Sequence, residues 1–532
     1  MCQYNIHLLD LPYEILFIIL KKLDNIDVLY SLFGIKNERI DALLEGDVFT
    51  SILNFVRMSS TIDDKIDRFC TYILPQKHDC IRKLILDTTY MECILFAGDY
   101  PNLTHLEVFN FKQEIVCCHF TDKSAFQHIF QHQITDLILH NNDENRVGKS
   151  WDIYNRNIYA HIIDLFQNLH HLTIVASSSV DEYPPICLHW LPSTTYFTST
   201  LTTLCINMFS FDDCVSLLDG RLKQLITLKV QFYGIFKCRL VPINIDDIHN
   251  LKCFSLTSYY VNWDSHDLIA SLLRRMIHLE KLTLYLRMGK SGRIDPNTSP
   301  YVDGTYLQNK ILVHMSQLHT FNFYISTQTV SDYSRSRISS DDIQQTFTNI
   351  KYGQTGCIID YFGAIGTICH VYSLPFTFTH LEMITTHFPF ILFDSVTHLS
   401  VYDLIPFEHE FFMQISQAFP LLKCFSIENW QMQYGNYNDY SSYSVIEFTH
   451  LILLDIKRTK KNYIEQFLLE TKTHLPHLTH LKVNYYDLKT VTMNFTRDAM
   501  RRNCSKVNHL IVEEPITFSK DIYQYFPSLY SL

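Results

Sequence analysis

Apolar residues recur along this chain in one short pattern, apolar-x-x-apolar-x-apolar. It appears first as Ile81, Leu84 and Leu86, then as Leu103, Leu106 and Val108, and continues through Leu478, Leu481 and Val483 to Val507, Leu510 and Val512. Fifteen copies and a clipped sixteenth, Leu529 and Leu532, occupy the chain from about residue 80 to its end. The last two apolar positions of a copy are two apart, the period of a strand with one buried face, and the first sits three earlier, where a turn feeds the strand. Between copies the spacing becomes helical, as in Leu268, Leu272, Leu273 and Met276, or Tyr463, Phe467 and Leu468. Strand, helix, turn and strand again predicts parallel strands joined by crossovers and stacked as a solenoid.

Several copies lie 22 to 29 residues apart, and wider intervals mark insertions at 141–153, 177–199 and 287–304. The longest interval, between Phe321 and Leu381, holds an insertion at about 327–376 with a polar run and then an apolar stretch, Cys357 to Phe376, that reads as an extra hairpin or a degenerate repeat. This period resembles the leucine-rich-repeat family, whose units run to about 20–29 residues. The resemblance implies an α/β horseshoe with a parallel sheet on its concave face.

Ahead of the repeats, Leu9 to Leu23 has the spacing of an amphipathic helix, with Asp10 placed to cap it, Pro12 in the first turn, and Leu16, Ile19, Leu20 and Leu23 as one apolar stripe. Asp24 is placed to cap a second helix carrying Val28, Leu29, Leu32 and Phe33, Gly34 ends it, and a third runs from about Asn37 to Leu44. The string Leu11-Pro12-x-Glu14-Ile15-Leu16, Ile18-Ile19, Leu23, Asp27-Val28, Leu32, Asn37-x-Arg39 resembles an F-box. That resemblance implies a small three-helix module at 1–48 that docks Skp1 through Leu11, Pro12, Glu14, Ile15, Leu16, Ile19, Leu23, Val28 and Leu32. The physical reading agrees that a module of about 40 residues struggles to bury enough surface alone. An alternative is a cap over the exposed end of the solenoid. Residues 49–79 read as a linker or capping helical segment, and 80–532 as irregular repeats.

Composition narrows the function. Apolar residues make up 47% of the 532, so the chain folds around much buried surface. A net charge of −11 opposes the attraction to phosphate on which nucleic-acid binding rests. The apolar N-terminal stretch contains Asp10, Pro12 and Glu14, unlike a signal peptide, and no later run has the length and lack of charge of a membrane span. An intracellular protein, cytoplasmic or nuclear, with no membrane and no nucleic-acid partner is the expectation. Fifteen cysteines without a CxxC pair read as reduced thiols, mostly in the core.

Candidate chemistry is sparse. His105, His171, His380, His398, His480 and His509 all precede the middle apolar residue of a copy, so they face the open side of the sheet, and His380 with His398 and His480 with His509 can stack across neighbouring strands. No carboxylate or cysteine recurs beside them at metal-ligand spacing, and the chain lacks a phosphate-binding glycine loop, a nucleophile elbow and an HExxH helix. The expectation is no metal, no cofactor and no catalysis. Tyr285, Tyr324, Tyr402 and Glu428 read as solvent-facing positions suited to a protein substrate. Together the two resemblances imply a substrate-recognition adaptor of a Skp1-cullin-F-box ubiquitin ligase; a scaffold unrelated to ubiquitin is the alternative.

Overall fold

Turn carbonyls hold successive strands in step. Thr104 O accepts the amides of Thr135 (2.9 Å) and Asp136 (3.1 Å), Thr135 O those of His170 (2.8 Å) and His171 (3.0 Å), and Thr379 O those of Thr397 and His398 (both 2.9 Å). Each strand entry thus satisfies the backbone of its neighbour. The computed structural model describes residues 10–56, 62–111, 126–141, 162, 165–175, 200–208, 211–218, 222–232, 250–291, 299–330, 338–362, 366–389, 391–403, 405–429, 444–512, 518 and 520–529. The chain is mixed α/β and divides into two compact units, Met1–Thr283 with Lys310–Thr320, and Leu284–Asn309 with Phe321–Leu532.

In the first unit, β1 (Ile52–Asn54), β2 (Lys83–Asp87), β3 (His105–Phe111), β4 (Asp136–Asn141), β5 (His171–Val175), β6 (Thr203–Met208), β7 (Thr227–Phe232) and β8 (Cys253–Trp263) lie side by side in chain order. All these neighbours pair in parallel, and the register matches the repeat: Leu84 stands beside Leu106, then Leu137, Leu172 and Leu204. These leucines are buried, so a one-residue slip would carry them to the wrong face. The helix His266–Leu273 returns the chain after β8 and buries Ile269, Ala270, Leu272 and Leu273.

Strands β9 (Lys281–Lys290) and β10 (Thr320–Thr329) begin in the first unit and run on into the second. There β11 (Gln354–Tyr361) and β12 (Thr367–Leu374) form an antiparallel hairpin, and β12 also pairs antiparallel with β10. The apolar stretch inside the long insertion is therefore a hairpin. Next come β13 (His380–Ile384), β14 (His398–Asp403), β15 (Cys424–Asn429), β16 (Ile446–Glu447), β17 (Leu453–Arg458), β18 (Thr473–His474), β19 (His480–Val483) and β20 (His509–Ile511). β13, β14, β15, β17, β19 and β20 make a parallel sheet in that order, and β16 pairs with β18. Phe412 from the helix His409–Ala418 and Phe425 from β15 both pack edge-on against Phe467 of the helix Lys461–Leu468, at 5.0 and 5.8 Å.

Three expectations change. Strand pairing starts at Ile52, inside the segment read as a linker or helical cap, because buried Thr50 fills the slot that elsewhere holds the first apolar residue; Leu53 and Phe55 follow it inward. In the copy Phe378, Leu381, Met383, the chain bulges: Met383 takes a φ of 59°, and Ile384 is buried instead. Among the described cysteines most are not core residues: Cys214, Cys369 and Cys504 are buried, Cys93 is exposed, and the rest are half-buried, all as free thiols. The insertions at 141–153 and 177–199 lie almost wholly outside the described residues. Among the described residues no helix is long and apolar enough to cross a membrane.

Candidate docking faces

Four short helices open the chain: α1 (Tyr13–Leu20), α2 (Asn25–Leu32), α3 (Glu38–Glu45) and α4 (Asp47–Thr50). Pro12, not Asp10, stands at the start of α1, in extended conformation, and its carbonyl accepts the amides of Ile15 (3.1 Å) and Leu16 (3.0 Å). Proline disfavours helix at the residue before it, which opposes an earlier start. Asn37 caps α3 by accepting from the amides of Arg39 (3.1 Å) and Ile40 (3.3 Å). Arg39 Nη2 in turn donates to Leu11 O at 2.6 Å, which ties the start of α3 to the approach to α1.

The inner face of this module holds Leu16, Leu20, Ile26, Val28, Leu29, Ile40, Leu43 and Leu44, with Phe17 edge-on against Phe49 at 5.8 Å. The outer face of α1 is also apolar. Ile15, Ile18 and Ile19 fall at i, i+3 and i+4, and are 45%, 55% and 38% exposed; Leu23, just beyond the helix, is 51% exposed. Helix α1 thus has two apolar sides, of which its own module covers one. Of the residues expected to dock a partner, Pro12, Glu14, Ile15, Ile19 and Leu23 are exposed, and Leu11 and Leu32 are half-buried. Leu16 and Val28 are each 1% exposed and pack the module's own core, so they are corrected from contact to support. The single stripe expected from Leu16, Ile19, Leu20 and Leu23 splits: Leu16 and Leu20 point in, Ile19 and Leu23 out.

The tyrosines expected on the open face of the sheet are elsewhere. Tyr285 and Tyr324 are buried and stacked, with centroids 4.7 Å apart, and Tyr324 Oη lies 3.0 Å from His370 Nδ1 on the hairpin strand β12. Tyr402 is buried with Phe362 and Ile368. The hairpin supplies His370, Phe362 and Ile368, and thereby covers strand positions that alternation alone assigns to solvent. None of the three tyrosines is a surface anchor. Glu428 does keep partial exposure, beside Tyr402 in register and 3.7 Å from Arg458 Nη1.

On the first unit the open face carries a charged row that the sequence showed only in part. His105 and His171 face outward as expected, and the register sets Asp136 between them, with His105 Nε2 at 3.3 Å and His171 Nδ1 at 2.7 Å from its carboxylate. One carboxylate therefore lies beside two of these histidines, hidden by the long sequence intervals between strands. Next to it, burial opposes the charge on Glu107, but hydrogen bonds from Lys83 Nζ (2.8 Å) and His140 (2.9 Å) outweigh that and hold its carboxyl below the usual range. His140 also stacks on Phe109 at 3.7 Å. These charges are mutually paired, and among the described residues no group of three His, Cys, Asp or Glu is placed to hold a metal ion. The second unit stacks His380 on His398 and His480 on His509, at 4.1 and 4.4 Å.

The chain matches no protein-family model and no curated protein.

Proposed function

We propose that this chain is a substrate-recognition adaptor of a Skp1-cullin-F-box ubiquitin ligase, with residues 1–48 as the F-box and the leucine-rich repeats as the surface that holds a protein substrate. The observation that carries the reading is the second apolar side of α1. Exposed apolar patches beside a closed core mark binding surfaces, and Ile15, Ile18, Ile19 and Leu23 supply one at the position where the sequence resembles an F-box. The work such a protein does is proximity: one end holds the ligase, the other holds the substrate, and the effective concentration of the substrate near the ubiquitin-carrying enzyme rises. Co-purification of the full chain with Skp1 tests it. Ile15→Asp/Ile18→Asp, which spares the module's core, should abolish capture that wild type shows at micromolar concentration. No capture by wild type overturns the proposal.

A second reading, a scaffold whose helices only cap the sheet, is favoured by a contact between them: Asn25 Nδ2 donates to Ile52 O (2.9 Å). It predicts that removal of residues 1–48 causes aggregation through the uncovered edge near Leu53 and Phe55. A soluble, folded remainder would count against it.

A further inference from the structure

Two thiols meet in the hairpin of the second unit. Cys357 on β11 stands opposite Val371, and Cys369 on β12 opposite Ile359, so the cysteines are diagonal neighbours, and their sulfurs lie 3.9 Å apart. Their surroundings differ. Cys369 is fully buried. Cys357 is half-buried and lines an open cavity of about 490 Å³ with Ser340, Ile359, Tyr361, His387 and Phe388. Cys357 therefore borders a space that solutes can enter, and Cys369 does not.

We propose that Cys357 and Cys369 form a dithiol that hydrogen peroxide oxidises to a disulfide across the hairpin, with Cys357 as the attacking thiol and Cys369 as the resolving one. Cys357, as thiolate, attacks one peroxide oxygen; the O–O bond breaks, Cys357 becomes the sulfenic acid, and the released hydroxide takes a proton to leave as water. The sulfur of Cys369 then attacks the sulfenic sulfur. The S–S bond forms, the S–O bond breaks, and the departing hydroxide takes the Cys369 proton as a second water. Two thiols and one peroxide thus give one disulfide and two waters. Closing the bond to about 2.05 Å asks the sulfurs to approach by roughly 2 Å, and because diagonal neighbours on paired strands stand about 7–8 Å apart, β11 and β12 shift locally as the bond forms. The direction of attack agrees with the local electrostatics: the hydrogen bond with Cys357, and then burial, hold the Cys369 thiol well above its ordinary range, which disfavours Cys369 as the attacking thiolate. A disulfide there staples β11 to β12 and removes a thiol from the cavity wall. This inference is independent of the docking proposal.

The sequence makes the test clean, because no Lys or Arg lies between Lys351 and Lys423 and the tryptic peptide 352–423 contains these two cysteines and no other. Full-length protein is treated with hydrogen peroxide at a dose that oxidises exposed Cys93, then alkylated, digested and weighed. The expected peptide is two hydrogens lighter, resists alkylation, and recovers both thiols after dithiothreitol. In Cys369→Ser, the sulfenic acid should persist on Cys357 and be captured by a 1,3-diketone; in Cys357→Ser, position 369 should take no label. Wild-type peptide that keeps both thiols alkylatable at that dose overturns the proposal, whatever the variants do. So does a disulfide from either residue to a third cysteine, or diketone capture on Cys369.

Discussion

The imidazoles of His380 and His398 stack face to face on adjacent parallel strands, with centroids 4.1 Å apart and planes within 8°. Each Nδ1 meets the hydroxyl of the preceding threonine, Thr379 or Thr397, at 2.9 Å. Burial, and then the neighbouring His398, push His380 down to about 3; burial, and then Lys423, lower His398.

A pH dependence follows from those directions. Unfolded histidine titrates near about 6.5, so below that pH the unfolded chain binds protons that the folded pair refuses. The pair's contribution is whole above that value and is lost as the pH falls toward the folded value of about 3 for His380. Thermal melting of wild type and His380→Gln/His398→Gln between pH 7.5 and 4.5 should show wild type losing more stability. Parallel curves would show that the stack does not couple to protonation.

Arg287 and Glu382 form an ion pair with only 16% and 21% of their side chains exposed. Removal of one partner leaves the other charge poorly solvated, so Arg287→Met should cost about 2–3 kcal/mol in urea denaturation. Arg287→Met/Glu382→Leu should cost less than either single change. A double variant as unstable as the sum of the two would mean that the pair contributes little beyond its packing.

Asn503 is 2% exposed and serves four backbone groups: it donates to Phe467 O (3.2 Å), Leu468 O (3.2 Å) and Thr473 O (2.7 Å), and accepts from Leu475 N (3.0 Å). Asn503→Ala strands those groups, at a cost of about 3 kcal/mol by denaturant unfolding. A loss below about 1 kcal/mol would show that water replaces the amide.

The two apolar sides of α1 predict opposite outcomes. Leu16→Ala opens a cavity in the helical module and should destabilise it by about 2–5 kcal/mol. Ile18→Ala, on the exposed side, should change stability by no more than about 0.5 kcal/mol. Equal losses at the two positions, by chemical denaturation, would mean that the exposed face is covered in solution.

The strand positions of the repeats were legible because burial on a parallel sheet repeats with the register: Leu106, Leu137 and Leu172 fall in one buried row, and each was visible as the middle residue of a triplet. β1 was not legible, because polar Thr50 stands where the pattern has an apolar residue, and its hydroxyl donates to Gly46 O at 3.4 Å. The stacking of His380 on His398 and of His480 on His509 was legible for the same reason as the leucines. The Asp136 link between His105 and His171 was not, because it depends on which strands are neighbours and not on local spacing.

By itself, then, the sequence determined the alternation of strand and crossover and, in most repeat strands, the face that turns inward, because each follows from a local period. The tertiary structure decided what covers those faces. The hairpin over Tyr324 and Tyr402 buried residues that alternation assigns to solvent, while the packing of α1 left Ile15, Ile18 and Ile19 outside. Burial is a property of neighbours brought together by the fold, and a periodicity reports only which residues share a side.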